Sequence, residues 1–194
     1  MEKVREGTNV QAATTPASSG NLIETDPYEF VGESLKEDVN TISKRLDLAP
    51  LPKTSDANVF EFRLWTNLGG LGDAKLLRIR TERDQYRATF FNVHRGLDPT
   101  DFKKADLIAP RSGWSKVLSD TRNLLSAPKG LVRDPHFDLC RDEPVILLEV
   151  FDKGEYRRVF YGNNTSFPDG KRLIEVCNYL TTEFDVNMEC AGKT

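Results

Sequence analysis

The sequence predicts an α+β fold: a two-layer sandwich in which an antiparallel sheet of about five strands carries about three helices, packed mainly on one face. Two observations lead to it. The stretch from Asp142 to Phe184 reads as a hairpin followed by a helix. Two runs rich in Val, Ile, Phe and Tyr, Val145–Phe151 and Glu155–Tyr161, are separated by Asp152, Lys153 and Gly154, and Gly154 can take the positive φ that closes the turn. Further upstream, Val59–Trp65 alternates, with Phe60, Phe62 and Leu64 pointing one way and Glu61, Arg63 and Trp65 the other. Tight hairpins and alternating strands are marks of an antiparallel sheet, whereas parallel strands read as continuous apolar runs.

Taken in order, residues 1–25 form a polar leader without periodicity, read as disordered. The single α+β domain spans residues 26–186, and 187–194 form a C-terminal tail. A helix is expected from about Tyr28 to Leu48, because Leu35, Val39, Ile42 and Leu46 recur at helical spacing, with Asp26 and Pro27 as cap and first-turn residues. Pro50 and Pro52 stop it. After the Val59–Trp65 strand and the Gly-rich turn Asn67–Asp73, Lys75–Thr81 and Tyr86–Val93 form a hairpin around Glu82–Gln85. The span Arg95–Gly113 is a long connection in which Asp106–Ala109 can add a short strand. A second helix runs from Trp114 to about Ser126 and ends before Pro128 and Gly130. A third begins near Pro168 and Asp169 and carries Leu173, Ile174, Cys177, Leu180 and Phe184 on one stripe.

Composition narrows the function classes. The chain has 194 residues, 38% hydrophobic and 29% charged, enough for one well-buried domain with a polar extension. A net charge of −3 gives no general attraction to nucleic acid or anionic membranes. The charge is uneven, however: Asn21–Asn58 holds eight acids and four bases, and Val59–Arg95 seven bases and four acids. An acidic leading segment is therefore expected near a basic sheet. No apolar run approaches the roughly twenty residues that span a bilayer. The expected location is cytoplasmic if Met1 is the native start. The alternative is a periplasmic or envelope-tethered domain whose leader has been removed, with Gln11–Gly20 as the tether.

Three cysteines, Cys140, Cys177 and Cys190, make neither a disulfide framework nor a zinc knuckle. Cys177 reads as a small core residue on the helix stripe, and Cys140 with Cys190 is the pair available in an oxidising compartment. The Asn67–Asp73 glycines lack the Lys-Ser/Thr and the following helix of a phosphate loop, so they read as a hairpin connection. Asn163-Asn164-Thr165-Ser166 matches a glycosylation acceptor pattern but reads first as a polar loop before a helix.

Two sites remain. Asp134, His136, Asp138 and Cys140, followed by Asp142 and Glu143, are weak candidate metal ligands, and Cys140 with His94 or His136 is a formal nucleophile–base pair. These support a metal- or thiol-dependent hydrolase built on the 134–143 loop as the rival reading. The principal reading is non-enzymatic, with no cofactor and no catalytic residue assigned. On the sheet face away from Phe60, Phe62 and Leu64, the residues Arg63, Trp65, Arg78, Arg80 and Arg87 form a basic cluster with an aromatic beside it. Such a face suits an acidic protein partner. Nucleic acid is disfavoured because no aromatic RNA-binding signature is present. The expectation is an interaction module of the inhibitor, immunity-type or accessory kind. One competing use of the same residues is internal: the acidic first helix folds back on the basic face, and the charge asymmetry is structural.

Overall fold

Strand-forming residues on both sides of the Gly-rich turn build the centre of the molecule. The computed structural model describes residues 33–51, 59–68, 72–96, 101–125, 145–161 and 168–190. Six strands, β1 (Glu61–Leu68), β2 (Ala74–Glu82), β3 (Gln85–Val93), β4 (Phe102–Leu107), β5 (Val145–Asp152) and β6 (Glu155–Tyr161), form one open sheet in the order β4-β3-β2-β1-β5-β6. Every neighbouring pair is antiparallel. Three helices, α1 (Glu33–Arg45), α2 (Trp114–Leu125) and α3 (Pro168–Phe184), complete the α+β sandwich.

The expected fold class holds, with one strand more than the five anticipated. The extra strand is β4, which begins at Phe102, a few residues before the Asp106–Ala109 strand read from the sequence. Both hairpin turns place two central residues at positive φ, Arg83 and Asp84 at 51° and 63°, Lys153 and Gly154 at 52° and 80°. That matches the mirror-image turn whose twist suits paired strands. The expected cap residues Asp26 and Pro27 lie outside the described residues, as do the leader and the Asn163–Ser166 loop.

Two of the helices share one face of the sheet and the third takes the other. Phe62, Leu64, Leu77, Ile79, Leu148 and Val150 face α2 and α3, meeting Val117, Leu173, Val176, Leu180 and Phe184. A run of ring contacts, Phe60 to Tyr86 to Trp114 to Phe184, with centroids 5.8 to 5.9 Å apart, ties both helices to the strands. On the opposite face Val39 and Ile42 of α1, with Leu46 just past its end, cover Trp65, Leu76, Phe91, Val93 and Leu147. The sheet is thus apolar on both sides at its centre, and β1 and β5 are buried almost throughout. This accounts for the nearly continuous Val145-Ile146-Leu147-Leu148 run in an antiparallel strand.

The packed chain continues past residue 186. Asp185, at φ 55°, turns the backbone out of α3. The returning segment buries Met188, whose carbonyl accepts the Thr66 hydroxyl. Cys190 then closes a disulfide to Cys177, with Cα atoms 5.5 Å apart. Cys190 is thus bonded to Cys177 and not to Cys140, the pairing that the sequence left open. The helix stripe that made Cys177 look like a core residue points it at the returning tail, so it is both buried and bonded. Closing a loop of 13 residues contributes about 3 kcal/mol in the chain-entropy account of disulfides. No helix among the described residues is long and apolar enough to cross a membrane.

Candidate interaction surface

Alternation along β1 places Glu61, Arg63 and Trp65 on the α1 side of the sheet. Register brings Arg78 opposite Arg63 and Arg80 opposite Glu61 on β2, and Arg87 opposite Arg80 on β3. All five basic-face candidates therefore do share one face, but their environments divide them into an inner and an outer set.

The inner set is enclosed. Trp65 has no exposed surface; it lies under α1 and donates its Nε1–H to Glu149 at 2.8 Å. Glu149, itself buried, also accepts the Tyr156 hydroxyl at 2.9 Å. Arg63 is 2% exposed; its Nε donates to Glu61 at 2.7 Å and its Nη2 to the Ala49 carbonyl beyond α1, also at 2.7 Å. Arg78 makes a two-pronged contact to the same carboxylate, at 2.7 and 2.8 Å. Burial alone would push the Glu61 carboxyl up. Hydrogen bonds and charge from Arg78 and Arg63 overcome that and hold it below the usual carboxylate value.

The outer set stands at the β2–β3 hairpin. Arg80 donates to Glu82 at 2.8 Å and Arg87 pairs with the same residue at 3.1 Å. The Arg80 and Arg87 side chains are 38% and 62% exposed. Two guanidinium groups here share one carboxylate in contact with solvent, where ion pairs are weak and exchangeable.

The acidic-helix alternative also has contacts behind it. Asp38 of α1 accepts Arg95 Nη2 at 2.7 Å, and Arg45 donates to the His94 and Asp101 carbonyls at the start and end of the β3–β4 connection. These bonds fix α1 over the Trp65 end of the face and leave the hairpin end beyond it.

Of the hydrolase candidates, Asp134, His136, Asp138, Cys140, Asp142 and Glu143 lie outside the described residues. His94 is described, with Nδ1 2.7 Å from Asp73 Oδ1, in an exposed position. Among the described residues no group of three or more His, Cys, Asp or Glu is arranged to hold a metal ion. A cleft of about 310 Å³ between α2 and α3 is lined by Asp120, Asn123, Glu175, Val176 and Tyr179. Lys116 pairs with Asp120 at 2.8 Å and Ser112 lies 3.4 Å from the Tyr179 hydroxyl, so these polar groups largely satisfy one another.

The sequence reading missed the acids. Glu61 was visibly on the same side of the strand as Arg63, and that same-side spacing was the available signal. Glu82, two residues from Arg80 on one strand, carried the same signal, whereas Glu149 gave none, because its role depends on cross-strand register. No protein-family model, curated protein or solved structure matches this chain.

Proposed function

We propose that the protein is a non-enzymatic interaction module that meets an acidic partner through the outer end of its basic face, Arg80 and Arg87. The observation that carries the reading is their sharing of the single Glu82 carboxylate while well exposed. Such cations can exchange a weak internal contact for a partner's carboxylates at little cost, and their fields speed encounter. Arg63, Trp65 and Arg78 then support the surface from below rather than touch the partner. The test is affinity capture from native extract with wild type and Arg80→Glu/Arg87→Glu as paired baits. An acidic protein held at low salt, released at high salt and absent from the folded double variant is the expected result. Equal retention by both baits overturns the site.

The Cys177–Cys190 disulfide favours one further element, placement in an oxidising compartment, as in the envelope-tethered alternative. Thiol alkylation of the unreduced, denatured protein from its native cell then labels one of the three cysteines, Cys140. Labelling of all three places the chain in a reducing compartment. The 134–143 hydrolase remains the rival proposal; stoichiometric zinc lost on His136→Ala would favour it.

A further inference from the structure

One edge of the sheet is β4, and its sequence, Phe102-Lys103-Lys104-Ala105-Asp106-Leu107 followed by Ile108, has an unusual self-complementarity. Register with β3 shows which backbone groups bond β3 and which point away from it. The His94 N–H donates to the Asp101 carbonyl at 3.1 Å, so that pair is hydrogen-bonded, and bonded pairs alternate along an antiparallel ladder. Lys103, Ala105 and Leu107 therefore bond β3, while the backbone groups of Phe102, Lys104 and Asp106 point outward. Ile108 is the first residue past the strand, and pairing that lengthens β4 by one residue would turn its backbone groups outward as well. The side chains of Phe102, Lys104 and Asp106 share the α1 side of the sheet, where the Phe102 ring packs at a tilt against Phe91, centroids 6.5 Å apart. Ile108 is 89% exposed, the large apolar side chain left in solvent among the described residues.

We propose that β4 is a homodimerisation edge: a second copy of this chain pairs with it antiparallel about a two-fold axis at Ala105. In that register Lys104 faces Asp106 of the second copy and Asp106 faces its Lys104. Phe102 and Ile108 cover each other at both ends, and the outward backbone groups of all four residues meet in hydrogen-bonded pairs. The neighbouring registers fail. An axis at Lys103 or Lys104 sets lysine against lysine, and one at Asp106 sets aspartate against aspartate. An axis at Leu107 puts Pro110, which has no N–H, opposite Lys104. Charge complementarity and the exposed isoleucine thus select one symmetric arrangement, an isologous interface that closes on itself. The opposing view of the same residues is that Lys103 and Lys104 guard the edge against pairing.

The interface is small, so the dimer forms reversibly with a dissociation constant on the order of micromolar or weaker. Sedimentation equilibrium of the full chain over a broad concentration range should show mass rising from 21.9 kDa toward twice that value. Lys104→Glu and Asp106→Lys should each weaken the dimer by about tenfold or more, and the two together should restore it. A chain that stays monomeric throughout overturns the proposal and supports edge protection. A dimer indifferent to both single charge reversals overturns the register. Far-UV circular dichroism checks that each variant is folded. As an independent readout in a Cys140→Ser background, Ala105→Cys should cross-link between copies on oxidation, because Ala105 lies on the axis, whereas Asp106→Cys should not. Cross-linking of both alike, or of neither, overturns the arrangement. These readouts do not involve Arg80 or Arg87, so failure here and failure of the partner site are separable.

Discussion

Arg63 and Arg78 on one carboxylate, Arg80 and Arg87 on another: the same chemistry occurs twice on one sheet face with different physical consequences. Around Glu61 the charges are withdrawn from water and every loss leaves a buried group unpaired. Around Glu82 the same residue types remain solvated, and each loss is replaced by hydration. A row of arginines on a strand pattern thus gives the face, while cover over that face decides whether they hold the fold or remain available to a partner.

The largest expected effect comes from breaking the inner cluster at its hub. Glu61→Ala leaves the Arg63 and Arg78 guanidinium groups without their shared anion and should cost about 3 to 5 kcal/mol in urea unfolding. pH gives the same contrast. Because the folded Glu61 carboxyl lies below its ordinary value of 4.5, its contribution is complete at neutral pH and above. It is lost as pH falls from near 4.5 through the lower folded value. Glu61→Gln should flatten that acid limb of the stability curve, and an unchanged limb would show that Glu61 is not its source.

How much of this was legible follows from the kind of information each feature needs. The helices over Trp114 and Leu173, both hairpins and the antiparallel sheet follow from local periodicity and turn chemistry, and the structure has them. The placement of α1 opposite the other two helices was not readable, because Val39, Ile42 and Leu46 form the same apolar stripe whichever face they cover. The five basic-face residues were rightly grouped on one side by alternation. Their division into inner and outer sets depends on where α1 lands and on the long-range contacts of Glu149 and Asp38. The Cys177–Cys190 bond likewise depends on the turn at Asp185, which no spacing rule marks.

The next effect in size lies on the opposite face and serves as a control on the comparison. Cys177→Ser should lower stability by about 3 kcal/mol by freeing the returning tail, whose Glu189 pairs with the buried Lys75. Trp65→Phe keeps most of the ring under α1 but removes the donor to Glu149, with an expected cost of about 1 to 3 kcal/mol in thermal or urea melts. A neutral result would mean that Glu149 finds another donor. Smallest on stability is Arg80→Glu/Arg87→Glu, within about 1 kcal/mol of wild type, with its main effect on partner capture.

Urea unfolding of two matched variants, Arg63→Gln/Arg78→Gln and Arg80→Gln/Arg87→Gln, tests the division most directly, because both remove two positive charges from the same face. The inner variant should lose about 3 to 5 kcal/mol and the outer less than about 1 kcal/mol. Equal losses would contradict the division of this face into a structural interior and an available edge.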